Sequence, residues 1–164
     1  MRDDKIDPNA IEELKIARPG CGYFSLEGFP YLPNLKKLTL NCELDTFNGL
    51  PDLPELTIIE RPVVNFFEGF PNLPNLEVMN LDVGHLESFA GFLALPKLRK
   101  LALGGLVIKG INDNYGNESR ISATITKNDL IELSKKLPNC EIIMYDFYYD
   151  YIFKDGQLTK KKRR

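Results

Sequence analysis

The sequence has little histidine and no catalytic motif, although carboxylates are plentiful and none is placed in an evident pocket by the sequence pattern. It contains a single histidine, His85, with no second histidine or cysteine at ligand spacing from it, so a histidine-paired metal site is excluded and His85 is expected at the surface. No serine or cysteine lies in a nucleophile motif, and there is no GxGxxG or GxxxxGK loop. We therefore predict a non-enzymatic protein with no cofactor, no metal and no small-molecule substrate.

Cysteines and long apolar runs are also scarce. Cys21, Cys42 and Cys140 are an odd set without a CxxC pair, which favours reduced thiols, although Cys21 and Cys42 could be neighbours on adjacent coils of the repeat described below. The N-terminus has no apolar stretch of signal-peptide length, and no apolar run approaches the roughly 18 residues that span a bilayer. We expect an intracellular protein, cytoplasmic or nuclear, with no membrane span.

Net positive charge is absent outside the C-terminal segment. The formal net charge is -2 at pH 7, and five positive charges lie together in Lys160, Lys161, Lys162, Arg163 and Arg164, which leaves -7 on the rest. An acidic body argues against a protein that neutralises phosphates, so nucleic-acid binding would depend on the tail alone. We take 154–164 as a basic tail with three interpretations: a nuclear import signal, an electrostatic contact with anionic lipid or nucleic acid, or a solvated end.

The sequence does contain a repeated pattern of six residues, called the strand phrase below. Its first and fourth residues are apolar, its sixth is the third defining residue, and its second, third and fifth positions accept any residue. The phrase starts at intervals of 24, 21, 20 and 22 residues, at Ile11, Leu35, Leu56, Leu76 and Leu98. A short strand that points its first, fourth and sixth residues inward gives this spacing. A period in the twenties is typical of one coil of a solenoid.

A second phrase lies between the predicted strands. It has apolar residues three apart, a glycine before the second of them, and a Leu-Pro pair at its end, as in Phe47-Asn-Gly-Leu50-Pro-Asp-Leu53-Pro54. Apolar residues three apart favour a 3₁₀ turn or a short helix. Glycine permits tight backbone there, and proline ends the turn before the next strand.

The rhythm of the repeat changes after Lys109. A polar, turn-rich stretch indicates a loop insertion at 109–125, and a helix capped by Thr126 and Asp129 should follow it. Leu137-Pro-Asn-Cys140 then repeats the earlier Leu-Pro-Asn turns, which predicts a sixth strand that starts at Cys140 and points Ile143 and Tyr145 inward.

Aromatic residues alternate with other residues beyond this point. They share one face of an extended segment, and they are Tyr145, Phe147, Tyr149, Tyr151 and Phe153. The terminal coil of a solenoid needs its core covered, so this face is either a cap or an aromatic binding surface.

At these linked phrases the chain resembles the leucine-rich repeat family in its short-repeat subclass, from about Ile11 to Ile111, and its last coil is similar to ribonuclease-inhibitor-type repeats. The resemblance implies an α/β solenoid: a right-handed superhelix with a parallel concave sheet of about six strands, a convex side of 3₁₀ or short helix, and here a C-terminal aromatic cap. This leucine-rich repeat domain, with terminal caps, would occupy 1–153. The family often has Asn or Cys at the ninth position of the strand phrase. This chain has other residues there, and they are Pro19, Glu43, Val64, Gly84 and Leu106.

One residue breaks the inward pattern. Arg61 occupies a nominally inward position, and burial of an unpaired charge would be prohibitive. Either the coil bends at Pro62 and lets Arg61 reach water, or Arg61 is a clamp that faces a partner.

The positions between the inward residues should line the concave sheet. Ile58 and Val78 are apolar on adjacent coils and have charged and polar neighbours, an arrangement typical of interfaces, although β-branched residues also suit strands. The expected partner-binding residues are Lys37, Ile58, Glu60, Glu77, Val78, Asn80, Lys100, Ile142 and Met144.

We therefore predict a monomeric interaction module, an adaptor or regulator, that binds a protein or peptide on its concave sheet. The alternative is a nuclear acidic scaffold that engages basic partners such as histones, as a resemblance to the leucine-rich acidic phosphoproteins implies. That subclass ends in a long acidic tail, whereas this chain ends in a basic one. A third interpretation is a repeat block that assembles with itself.

Overall fold

A computed structural model describes residues 6–17, 22–83, 86–111, 125–146 and 148–164. They form a mostly-sheet, solenoid-like fold of about four turns with little helix. The helical elements in this part of the chain are a 3₁₀ helix, Pro8–Ala10, and one α-helix, α1 (Lys127–Lys135). The strands are β1 (Glu13–Ala17), β2 (Lys37–Asn41), β3 (Glu43–Leu44), β4 (Ile58–Val64), β5 (Val78–Val83), β6 (Lys100–Gly104), β7 (Glu141–Tyr145), β8 (Tyr149–Lys154) and β9 (Gln157–Lys162).

The repeated strand phrase forms neighbouring strands of one sheet. β1, β2, β4, β5, β6 and β7 follow one another across the sheet and pair in parallel. The fourth residues of the phrase are in register, and they are Leu14, Leu38, Ile59, Met79 and Leu101. The last four of these are fully buried, so the inward positions predicted for the first five strands form a continuous core, except at Arg61.

Each copy of the second phrase, the turn phrase between the first five strands, forms isolated three-residue hydrogen-bonded turns and no helix, so the short-helix alternative of the prediction is wrong. In the second coil the Leu50 N–H donates to the Phe47 carbonyl oxygen at 3.0 Å, and the same three-residue bond occurs in the other coils at Phe29, Phe70 and Phe92. Pro51 follows Leu50 and has no N–H with which to continue a helix. The turn therefore ends after one bond.

A column of phenylalanine rings fills the core beneath these turns. The Phe67 ring centroid lies 6.1 Å from that of Phe47, in a stacked pair, and 4.9 Å from that of Phe92, in a T-shaped pair. Phe70 packs edge-on to Phe47 at 5.0 Å and stacks on Phe92 at 5.4 Å. Aromatic pairs at these distances contribute beyond the area that they bury, so this column ties successive coils together.

The glycine of the turn phrase lets one coil lie directly against the backbone of the coil before it. Gly49 has φ +94°, and a Cβ added there would lie 2.4 Å from the carbonyl oxygen of Leu26. Gly91 repeats the contact with φ +84° and 2.6 Å to the carbonyl oxygen of Phe67. The predicted role of these glycines, tight backbone in the turn, is confirmed at both positions.

Helix α1 begins where the sequence predicts. The Thr126 N–H donates to Asp129 Oδ2 at 2.7 Å, and the Asp129 N–H donates back to Thr126 Oγ1 at 3.4 Å. Leu130 and Leu133 are buried against the core.

Strand β7 is shifted by one residue from the predicted register. The turn before it is normal, because the Cys140 N–H donates to the Leu137 carbonyl oxygen as in the other coils. Leu95 to Lys100 spans five positions in the preceding coil, whereas Leu137 to its paired equivalent, Glu141, spans only four.

The shift exchanges the two faces of β7, because side chains alternate along a strand. Ile142 and Met144 are fully buried, so the prediction that they bind a partner is wrong. Ile143 and Tyr145, which we expected inside, are half-buried on the other face.

The alternating aromatic segment is also not one extended strand. The chain turns after Tyr145, and β8 returns antiparallel to β7. Tyr151 and Phe153 pair with Met144 and Ile142 and are 2% and 1% exposed. These two aromatic side chains therefore belong to the core of the last coil and do not form a binding surface.

The basic segment predicted as a tail is a strand in the structure. β9 pairs antiparallel with β8 at the edge of the sheet. Lys160 Nζ lies 3.8 Å from the ring centroid of Tyr149, and Arg163 Nε lies 3.1 Å from Asp150 Oδ1. Removing residues 160–164 would therefore disturb β8 as well as any import or electrostatic signal. Charged residues on an edge strand also discourage pairing with other chains.

Several predictions lie outside the described residues, namely those for His85, Cys21, Phe147 and most of the insertion at 109–125. No helix in the described part of the chain is long and apolar enough to cross a membrane.

Candidate binding surface

The outward face of the sheet carries two rows of side chains in register. The first outward row is Glu13, Lys37, Ile58, Val78, Lys100 and Glu141. The second outward row is Lys15, Thr39, Glu60, Asn80, Ala102 and Ile143, continued by Ile152 and Thr159. The structure thus brings together six of the predicted partner-binding residues, which are Lys37, Ile58, Glu60, Val78, Asn80 and Lys100.

The outward face has apolar residues at its centre. Ile58 and Val78 are directly paired on β4 and β5, and both are half-buried. In the second outward row Ile143 and Ile152 are apolar and half-buried on β7 and β8, and the small Ala102 beside them on β6 is buried. Ile143 and Ile152 were not predicted from the sequence, because the turn before β7 has the same Leu-Pro-Asn sequence as the earlier turns and the one-residue shift is seen only in the strand pairing.

Ion pairs border this apolar centre. Lys37 Nζ lies 2.9 Å from Glu60 Oε2, and Arg99 pairs with Glu77, which lies just before β5. The hydrogen bond to Glu60 and the charge of its carboxylate raise the pKa of Lys37, so this ammonium stays charged at neutral pH. Exposed ion pairs contribute little to stability. These ion pairs do place charged groups at the rim of the apolar centre.

A cleft of about 450 Å³ opens at the β1 side of the face. It is lined by Glu13, Leu14, Lys15, Lys37, Thr39, Glu60 and Arg61. Arg61 is exposed at a bulge between Glu60 and Val63. The prediction that Arg61 reaches water is therefore confirmed, although it does so at a bulge within β4 and not at a bend of the coil.

A second polar cluster lies where β5, β6 and β7 end. The Tyr145 hydroxyl lies 3.2 Å from Asp82 Oδ1 and donates to it across Gly104. A Cβ at Gly104 would lie 2.5 Å from both the Asp82 and Tyr145 oxygens, so only glycine leaves room for this bond. Burial and the charge of Asp82 raise the pKa of Tyr145, which keeps the phenol protonated as the donor.

A different cleft, of about 470 Å³, lies on the turn side of the coils. Phe66 lines it and is 52% exposed. The corresponding turns carry Ser25, Thr46 and Ser88, whose hydroxyl oxygens accept from the N–H two residues later. Phe66 replaces this hydroxyl, and Glu27, Asp45 and Glu68 surround it.

The described residues offer little reactive chemistry. The thiol of Cys140 is buried, and its burial raises its pKa to about 12, so it stays protonated at neutral pH and is a poor nucleophile. No cluster of three or more His, Cys, Asp or Glu side chains in this part of the chain could hold a metal ion.

Comparison of the chain with models of known protein families, with curated proteins and with solved structures finds no match.

Proposed function

We propose that the protein is a leucine-rich-repeat interaction module that binds a protein or peptide on the outward face of its sheet. In this proposal the outward face is the concave side, the turns form the convex side, and the β8 and β9 hairpin caps the last coil. The module acts inside the cell as an adaptor or regulator, without catalysis. The repeated phrases and the parallel register of the strands support the family assignment.

One observation carries the binding proposal most directly. Ile58 and Val78 lie side by side at the centre of a face whose border is formed by Lys37, Glu60 and Glu77. An apolar centre desolvates on binding and supplies most of the affinity, while a charged rim supplies specificity. Ile143 and Ile152 add two half-buried apolar side chains to the same face on β7 and β8.

The test is affinity capture with the intact chain and with the variant Ile58→Asp/Val78→Asp. We expect the double variant to fold, because both side chains are only half-buried, and to lose the specific partner, because two carboxylates at the centre of an interface are desolvated without compensation. Mass spectrometry of the captured proteins gives the readout.

The matched control adds the same two charges on the turn side of the molecule. Tyr31 and Leu93 are 56% and 43% exposed there, so Tyr31→Asp/Leu93→Asp should keep every partner. If both double variants capture the same proteins as the intact chain, the outward face is not the binding surface. Light scattering on the same samples checks the expected monomer.

A second candidate function is an acidic scaffold that engages basic partners such as histones. It is favoured by the turn-side cleft, where Glu27, Asp45 and Glu68 surround the exposed ring of Phe66. The test is binding of purified core histones at moderate salt. This function requires that Phe66→Ser weakens the binding, and the variant restores the hydroxyl found in the other turns. Binding that disappears on adding salt and ignores Phe66 would be non-specific charge attraction.

A further inference from the structure

Arg61 has a backbone conformation that its residue type disfavours. Its φ is +68°, and among the described residues Asp155, with φ +50°, is the other non-glycine residue with positive φ. Asp155 precedes Gly156 in the hairpin between β8 and β9, where an Asp-Gly pair suits the turn. No such turn preference explains an arginine, because this region of conformational space favours Gly, Asn and Asp.

The bulge at Arg61 sets the direction of its side chain. The register between β4 and β5 shifts between Glu60 and Val63, and such bulges redirect a side chain relative to a regular strand. Arg61 consequently lines the 450 Å³ cleft beside Lys15 and Lys37. A strained residue that lines a cleft is the kind of outlier from which function can be inferred.

The charges in the cleft leave this guanidinium available. The two carboxylates are Glu13 and Glu60, and Glu60 is paired with Lys37. No ion pair joins Arg61 to a carboxylate within the described ranges. Arg61 also lies close enough to Lys37 for its charge to oppose slightly the rise in the Lys37 pKa that Glu60 causes. Lys15, Lys37 and Arg61 thus outnumber the carboxylates and favour an anion.

We infer that Arg61 binds a carboxylate side chain of an acidic peptide segment that crosses the outward face over Ile58 and Val78. This inference rests on the proposed function and names the chemistry of its partner. The planar guanidinium fork matches a carboxylate in two parallel hydrogen bonds. Lys37 and Ile58 are directly paired, and Glu60 lies two residues further along β4, so the cleft and the apolar centre are contiguous.

The probe is a set of fluorescent nonapeptide pools with acetylated N-termini and amidated C-termini. The pools carry Glu, Gln or Lys at the central position and the same mixture of apolar and neutral residues elsewhere. Fluorescence anisotropy measures binding to the full chain. We expect the Glu pool to bind on the order of tenfold more tightly than the Gln pool, as a charge-assisted hydrogen bond implies. Equal binding of the two pools, or no binding of either, would overturn the inference.

Two variants separate the charge of Arg61 from its backbone conformation. Arg61→Gln removes the charge and keeps a side chain at positive φ, whereas Arg61→Gly removes the charge and relieves the disfavoured conformation. Both should abolish the preference for Glu over Gln, and Arg61→Gly should not lower the unfolding temperature. If Arg61→Gln keeps the preference, the guanidinium does not bind the carboxylate.

Two further arms identify the source of the carboxylate and keep the two hypotheses apart. A Gln pool with a free C-terminal carboxylate should bind no more tightly than its amidated form, and equal binding to the Glu pool would overturn the assignment to a side chain. Ile58→Asp/Val78→Asp should lose all pools. If that variant binds the pools like the intact chain, the proposed function is wrong. The preference for Glu over Gln in the two Arg61 variants tests the inference about Arg61 separately.

Discussion

Replacing Phe67 by alanine is expected to lower the free energy of unfolding by about 3–5 kcal/mol, the range for truncation of a buried aromatic side chain. Phe67 is 1% exposed, and its ring lies between those of Phe47 and Phe92, at 6.1 and 4.9 Å. The cavity left by the ring would be bordered by rings from three coils, which cannot all close inward. Because each coil is stable only when its neighbours cover it, the loss should affect the whole array.

Phe66 provides the matched control one residue away. Its side chain is 52% exposed, and serine at this position restores the turn hydroxyl present at Ser25, Thr46 and Ser88. We expect Phe66→Ser to change stability by less than about 0.5 kcal/mol. Urea denaturation followed by circular dichroism measures both variants. Similar losses in the two variants would show that the phenylalanine column does not form the core.

Replacing Gly49 by alanine is expected to lower the free energy of unfolding by about 2–4 kcal/mol, from two separate causes. The φ of +94° is unfavourable for a residue with a Cβ, and that Cβ would lie 2.4 Å from the Leu26 carbonyl oxygen. The clash is with backbone of the preceding coil, so relief requires the two coils to move apart. That movement would also loosen the aromatic contacts between them.

Gly28 occupies the same position of the turn in the preceding coil. Its replacement measures the cost of the positive φ without the contact between coils. Its φ is +77°, and a Cβ added there would meet nothing within 4 Å. Gly28→Ala should therefore cost about 1 kcal/mol from backbone conformation alone. Thermal and urea unfolding of both variants give the comparison. An equal cost at the two positions would contradict the close approach of successive coils.

The sequence was sufficient to predict the repeated part of the fold, because period and burial are linked. The first, fourth and sixth positions of the strand phrase are the ones that a strand turns to one side. Leu38, Ile59, Met79 and Leu101 accordingly form one buried column. The positions of the turns were predicted, whereas the choice between a 3₁₀ turn and a short helix required the structure, in which Pro51 ends the second-coil turn after one hydrogen bond.

The last coil could not be predicted in the same way, because a single missing residue reverses every side chain of a strand. The resemblance of Leu137-Pro-Asn-Cys140 to the earlier turns is real, yet β7 begins one residue sooner after it. Ile142 and Met144 are therefore buried and Ile143 faces outward. The hydrogen bond between Tyr145 and Asp82 depends on the same shift.

The positive φ of Arg61 and the pairing of β9 also could not be predicted from the sequence. An arginine in the phrase shows that the inward pattern is interrupted, but a bulge or a simple bend would give the same sequence. Lysines near the C-terminus are typical of a solvated segment, whereas here Lys160 lies over Tyr149 and Arg163 pairs with Asp150. These contacts join residues whose partners no local pattern indicates.

The most direct test of the outward face as the binding surface is the dissociation constant of the captured partner, measured by calorimetry. The intact chain, Ile58→Asp/Val78→Asp and the turn-side control Tyr31→Asp/Leu93→Asp are compared after circular dichroism has shown that all three fold. We predict that the outward double variant binds at least about 100-fold more weakly, as expected for loss of a central anchor, and that the control binds like the intact chain. Equal affinity of the intact chain and the outward double variant would contradict the account.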